Sequence, residues 1–346
     1  ESGEIKPTSN QLLNIAKQLD RTPAFFYLNS PPAEKPVLSE FRTINNVPLV
    51  NASPKLIKAI REAKRNRQRI IDLYGIQNLE SQRIPQFEDL FSNIEYSAKL
   101  IREWLGVSMI DQNEWKNSSN ALSKWKELIE NKDIYIVQYP FVEIEESRGF
   151  ALYENEIPII GINSKDSYNG RIFTLLHELC HVLIGDSIVV NNSLDSYFNS
   201  SSQELERLCN SLTAEILVPS KDLEQNFDQN RNLFQEVKKL ISRYRVSGQV
   251  ILIKLKKQSL ITEANYRSLI FEFTNNNTSN SGSTTGNPYN NQVVRKGKLL
   301  LKTAFDAYFN ERISLPELSE IASWKVPNLN KLAANTFGWS QEGNYI

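Results

Sequence analysis

Histidine, cysteine and methionine are scarce in this sequence: its 346 residues include two His, two Cys and one Met. Two cysteines, Cys180 and Cys209, are too few for a disulfide framework, and such sparse usage fits a reducing, cytoplasmic setting. Net charge is absent as well. Forty Lys plus Arg balance forty Asp plus Glu, so the total gives no pull toward nucleic acid, and only a local patch could supply one. No apolar run approaches the length needed to span a bilayer, so no membrane partner is expected. The opening residues, Glu1-Ser2-Gly3-Glu4, lack the basic region and apolar stretch of a signal peptide. With Met109 the sole methionine, the chain is expected to be a fragment or processed form of a longer product. What is present, 40% hydrophobic and 23% charged residues, is the composition of a globular chain with length for two or three domains.

The scarcity of histidine makes its placement informative. His177 and His181 lie four apart with Glu178 between them, the His-Glu-x-x-His pattern of zinc peptidases. On a helix, positions i and i+4 share a face, so both imidazoles can address one ion. Glu178 then projects beside that ion, where a carboxylate can take a proton from water and pass it to a leaving amine. Ile172, Leu175, Leu176, Leu179 and Leu183 recur at helical spacing, and Gly185 is expected to end the helix. Catalytic zinc usually takes three protein ligands. With no third histidine, a carboxylate must serve, and the candidates downstream are Asp186, Asp195, Glu204, Glu206 and Glu215. Glu206 is favoured because it opens a second helical stretch. There Glu206, Cys209, Asn210 and Thr213 share one face, while Leu205, Leu208, Leu212 and Ile216 hold another against the core. Asn210 is placed to hydrogen-bond and orient a ligand. Glu204 and Glu215 are expected to be solvated.

Taken together, the run Arg171-Ile172-Phe173-Thr174-Leu175-Leu176-His177-Glu178-Leu179-Cys180-His181 and the later run from Glu206 through Cys209-Asn210 to Ile216-Leu217-Val218-Pro219 resemble the ImmA/IrrE family of metallopeptidases. Two matched helices in the same order are far more specific than one histidine pair. The resemblance implies one zinc ion held by His177, His181 and Glu206, with Glu178 as the catalytic acid and base. It also implies an α+β, mainly helical fold: a zincin-like core of active-site helix and small mixed sheet, with helical flanking domains. The implied substrate is a protein, a repressor or antitoxin whose cleavage controls transcription. Cys180 and Cys209 depart from the family, standing where it usually has Gly and Ala. They read as buried, unreactive thiols, or else as a redox-sensitive group near the metal.

The remaining sequence divides by composition. Residues 1–29 resemble the tail of a repressor-type helix-turn-helix domain without its recognition helix, so DNA contact is expected only through the missing part of such a domain. Residues 30–220 are assigned to the peptidase domain. Within it, residues 53–74 form a basic helix, read mainly as a solvated face. Trp104, Trp115 and Trp125 are expected to anchor a helical region, and strands are expected at 134–137, 149–153 and 157–163. One of the last two strands could receive a substrate backbone by strand addition. Residues 221–273 read as a helical, helix-turn-helix-like domain with a scaffold or docking role, 274–292 as a flexible linker, and 293–346 as a C-terminal helical unit. For oxyanion stabilisation only weak candidates exist, namely Tyr153, Tyr168 and Arg171. The rival to a peptidase is a DNA-binding transcriptional regulator whose zinc site is structural or sensory.

Overall fold

The computed structural model describes residues 7–18, 23–28, 30, 42–43, 52–75, 90–153, 156–190, 202–275 and 288–339. Helix α1 spans Ser9–Gln18 and a 3-10 turn spans Pro23–Tyr27. Thr8 and Gln11 exchange side-chain to backbone hydrogen bonds at the start of α1, closing a capping box. The strands are β1 (Arg42–Thr43), β2 (Tyr135–Tyr139), β3 (Gly149–Leu152) and β4 (Ile159–Asn163). Between β1 and β2 lie α2 (Pro54–Tyr74), α3 (Ile94–Leu105), α4 (Met109–Glu114) and α5 (Ser118–Glu130). After β4 come α6 (Tyr168–Val190), α7 (Ser202–Leu217), α8 (Ser220–Asn226), α9 (Leu233–Tyr244), α10 (Gly248–Lys257) and α11 (Glu263–Asn275). The chain continues with α12 (Pro288–Lys296), α13 (Lys298–Phe309), α14 (Leu315–Ala322) and α15 (Leu329–Phe337). The class is α+β and mainly helical, and no described helix is long and apolar enough to cross a membrane.

The sheet is mixed, in the order β1-β3-β4-β2. Strands β2 and β4 run parallel, while β3 is antiparallel to both β4 and β1. Every residue of β2 and β4 is buried, because helices cover both faces, which is why these strands read as apolar runs rather than alternating ones. The pleat sorts their side chains. Ile136, Ile160 and Ile162 join one core with α5, α6 and α7. Tyr135, Val137, Tyr139, Phe150, Leu152 and Ile159 join a second core with Leu56, Ile60 and Ile70 of α2 and with Leu299 and Leu300 of α13. A third cluster, around Phe305, Leu318, Leu332 and Trp339, closes the C-terminal helices on each other.

Helix α2 is less a solvated basic rod than its composition suggests. Arg67 is buried and donates through Nε to the carbonyl of Ile157 at 2.9 Å and through Nη2 to that of Glu156 at 2.7 Å. Those carbonyls lie where the chain enters β4, and Ile157 holds a φ of 34° there, a region that β-branched residues avoid. Arg69 pairs with Glu320, and Lys58, Arg61, Lys64 and Arg65 are also engaged. The basic residues of α2 thus serve largely to tie the chain to itself.

Three expectations are corrected. The metal-motif helix does not stop at Gly185 but continues to Val190. That glycine instead lets the Tyr153 ring pack against the helix, since any Cβ would overlap it. Residues 288–292, assigned to the linker, begin α12, where Gln292 is buried and donates to the carbonyl of Ala322; residues 276–287 lie outside the described residues. Trp125 and Trp115 are buried core anchors in edge-to-face contact, whereas Trp104 is only partly buried. The helix–turn–helix of α9 and α10 is built into the same core as α6. Gln112 ties it there, donating to the carbonyls of Leu217 and Tyr244, and Arg245, in the left-handed conformation at the turn, donates to the carbonyl of Trp115.

Gly161 faces the ring of Phe150 in the neighbouring strand, and a Cβ there would overlap ring atoms that have nowhere to go. Gly161→Ala is expected to destabilise the protein by about 1–3 kcal/mol through overpacking, read as a lowered urea midpoint at unchanged slope.

Candidate active site

Helix α6 brings His177, Glu178 and His181 to the sheet. Ser167 starts it, accepting from the backbone N–H of Gly170 at 3.1 Å. Ile172, Leu175, Leu176, Leu179, Val182 and Leu183 are buried along it, so burial on more than one side holds its rotation about its own axis. Helix α7 packs across it. Leu212 and Ile216 are fully buried, and Cys180 of α6 meets Thr213 of α7 with Sγ and Oγ1 3.6 Å apart. That packing places Glu206, one helix away in sequence, directly opposite the histidine pair.

Three groups converge. His177 Nε2 and His181 Nε2 are 3.1 Å apart. Glu206 Oε2 lies 3.1 Å from His177 Nε2, and Oε1 lies 3.3 Å from His181 Nε2. Among the described residues, His177, His181 and Glu206 form the group whose ligand atoms lie within 4.8 Å of one another and could hold a metal ion. A tetrahedral zinc with nitrogen ligands at ~2.0–2.1 Å separates those ligands by about 3.3 Å, so the spacing suits one small ion. The donor set of two imidazoles and one carboxylate is also that of a catalytic zinc with a coordination position left over.

The two carboxylates of the site are driven apart in acidity. Burial pushes Glu206 up, but hydrogen bonds from His177 and His181, and their charge, outweigh it and hold it at about 2. Glu178 has no such partners. Burial raises its carboxyl well above the usual range, and the nearby Glu206 charge raises it further. Its Oε1 is buried without a hydrogen-bond partner, an arrangement that costs about 1–3 kcal/mol. A carboxylate with raised proton affinity beside a metal-binding group is suited to take up a proton and pass it on.

The sequence alternatives for the third carboxylate are not brought to this place. Glu204 is exposed. Glu215, expected in solvent, is buried: it pairs with Lys254 and accepts from the Ser220 backbone and hydroxyl at 2.7 Å. Its task is to join α7, α8 and α10. Asp195 and the side chain of Asp186 lie outside the described residues. Asn210 is exposed and makes none of the hydrogen bonds found around the three converging groups. The residue before it is the one that points in, with Cys209 Sγ 3.9 Å from His181 Nδ1. Of the two thiols, Cys180 is fully buried and pushed up to about 12, chiefly by burial, which leaves it inert at neutral pH.

Tyr168 and Arg171 sit at the start of α6, with the guanidinium 4.2 Å above the Tyr168 ring and Nη1 on Gln138 Oε1. They are roughly one and a half to two and a half helical turns before His177. Tyr153 packs beside Gly185, one turn beyond His181. A neighbour that sequence reasoning passed over is Gly149. Its Cα faces Thr174 and Glu178 so closely that a Cβ would overlap the Thr174 methyl and come within 3.0 Å of Glu178 Oε1. A glycine inside a strand, next to a metal-motif helix, is the signal that could have found it.

Glu206→Ala is expected to lower affinity for a divalent ion by about a hundredfold or more, since even groups that only orient a ligand are worth 10–100-fold. Isothermal titration of the metal-free protein with zinc checks this. Retention of near-native affinity would remove Glu206 from the metal-binding set.

Comparison with known proteins agrees with this geometry. A family model described as the IrrE N-terminal-like domain, Peptidase_M78, matches residues 129–256, which contain all three converging groups and Glu178. No curated protein matches the chain. Among solved structures, a Mycobacterium tuberculosis transcriptional regulator is similar at 14% identity and a TM-score of 0.33. That match covers 55% of this chain and 50% of the other, so the chain spans about half the length of that protein. Residues 129–256 thus match an IrrE N-terminal-like domain, a domain of metallopeptidase type with a zincin-like fold.

Proposed function

We propose that this chain is a zinc-dependent, site-specific endopeptidase of the cytoplasm that cleaves one partner protein, a repressor or antitoxin, and so controls transcription. The observation that carries the reading is the meeting of His177, His181 and Glu206 beside the buried carboxyl of Glu178, whose Oε1 has no hydrogen-bond partner, inside a peptidase-type domain. The three ligands suit zinc, which when bound supplies Lewis acidity toward the scissile carbonyl and lowers the pKa of water.

The protein's own groups do the rest. Glu178 Oε1 accepts the proton of the attacking water and then delivers it to the nitrogen of the departing amine, so no charged amide leaves. Its raised proton affinity favours taking up the water's proton. Glu206 would hold the ion together with His177 and His181, its carboxylate oxygens lying against their Nε2 atoms. Phe173 stacks against the His177 ring and Glu178 is fully buried, so little water surrounds these groups and their interactions are strengthened. Selective cleavage, rather than general digestion, follows from the setting. The site lies in a chain whose other helices form a continuous scaffold around it, and whose N-terminal residues resemble the end of a repressor domain.

Glu178→Gln is expected to abolish cleavage, a loss of about 10²–10⁴-fold, with zinc content unchanged by atomic absorption. Incubation of the zinc-loaded protein with candidate repressors or antitoxins, followed by intact-mass measurement, gives the readout. If regulation of the target persists in cells carrying Glu178→Gln, the peptidase reading fails in favour of a regulator with a structural or sensory metal.

A further inference from the structure

Strand β3 is the strand nearest the catalytic carboxylate, and one of its two edges is paired with β4 from Gly149 to Leu152. Its position along α6 is defined at both ends. Gly149 faces Thr174 and Glu178, while the ring of Tyr153 faces Gly185. Four strand steps, ~13 Å, therefore run beside seven helical steps, ~10 Å. Phe150 and Ala151 fall between those ends, level with the turn that carries His181. A peptide that is to be cut at this site in extended form, with its backbone hydrogen-bonded to the sheet, has to use the other edge of β3 at this level.

That edge is taken. Arg42 is registered with Ala151 and Thr43 with Phe150, antiparallel, as the outermost strand of the sheet. We infer that residues 42–43 of the chain are a built-in competitor for the substrate backbone, so that the site is self-inhibited until β1 leaves the edge of β3. The inference rests on the peptidase reading and concerns its regulation. Its physical basis is exclusive use of the same groups: the N–H and C=O that β3 turns toward this edge, on one of the adjacent pair Phe150 and Ala151, can bond to β1 or to a substrate strand, not to both. The competitor is also suited to removal. Among the described residues it pairs over two positions, whereas a substrate strand could pair along all of β3, from Gly149 to Leu152. Being tethered, it acts at an effective concentration on the order of millimolar, so a free peptide binding in the tens of micromolar range is suppressed by roughly tenfold or more.

The test uses the full chain and a fluorescein-labelled synthetic peptide with the sequence of residues 38–47. In an antiparallel pair, successive residues alternate between facing the neighbour with their hydrogen-bonding groups and facing away, and proline has no N–H to donate. Of Arg42→Pro and Thr43→Pro, one is therefore expected to release the edge and the other to have much less effect. In a Glu178→Gln background, which prevents cleavage, anisotropy should show the peptide binding the releasing variant at least about tenfold more tightly than the native edge. The thermal midpoint should stay unchanged, which separates release from misfolding. In the zinc-loaded chain with Glu178 intact, the same variant should cut the repressor or antitoxin substrate found by the intact-mass screen at least about tenfold faster. Equal peptide affinity across native and both proline variants overturns the inference, whatever the cleavage rates. A tenfold affinity shift with no cleavage by any of the proteins upholds the occupied edge and sinks the peptidase reading on which its regulatory role depends.

Discussion

Two imidazoles and a carboxylate from two separate helices meet within hydrogen-bond distance in a largely apolar core, and the rest of the structure depends on that approach. A single helix can supply the histidine pair by its periodicity, but it cannot supply the third group in the facing position. That requires α7 to cross α6 closely. The crossing is made of small or flexible contacts: Cys180 against Thr213, and Cys209 beside His181. Both thiols are fully buried, and in this light they are packing residues. They are large enough to fill the contact and small enough to keep Glu206 in range. A bulkier side chain at either point would separate the helices and with them the three ligands.

The same approach sets the electrostatics. Carboxylates this near each other in a poorly solvated site cannot share one environment, and the fold gives them different ones. Glu206 faces two hydrogen-bond donors and stays ionised. Glu178 faces apolar surroundings, the glycine of β3 and a like charge, and its proton is held more tightly. Environments that push two acidic groups apart are how one site provides both a permanent ligand and a proton carrier. Gly149 is the backbone part of this arrangement. It lets the strand approach the helix where Glu178 lies, so Glu178 and β3 are placed together by one close contact.

The outer helices have a supporting share in the site. The buried Glu215–Lys254 pair and the hydrogen bonds of Gln112 join α7 to the helix–turn–helix of α9 and α10. On the other face of the sheet, Arg67 of α2 grips the entry to β4. Charged residues that look solvated in composition are spent on internal joints. Such joints trade some stability for a defined arrangement, because a buried charge without its partner is far more costly than one with it.

Local pattern determined much of this protein. The helical period around His177 and His181, the hairpin of β3 and β4, the two short helices after Asn232 and the helix that carries Glu206 are all legible in the sequence. Each rests on spacing within a few residues, or on the order of two matched helices. Tertiary structure alone decided what depends on distant contacts. Gly185 looks like a helix stop until Tyr153 is packed against it. Glu215 looks solvated until Lys254 arrives from a helix 39 residues on. Asn210 looks like a partner for a ligand, yet the crossing of α7 turns Cys209 inward and leaves Asn210 outside. The occupant of the β3 edge comes from more than a hundred residues upstream, and no periodicity in either segment announces it. Spacing along one element reports which residues share a face. Which face meets which partner is settled only by how the elements pack, because burial and pairing are properties of both surfaces at once.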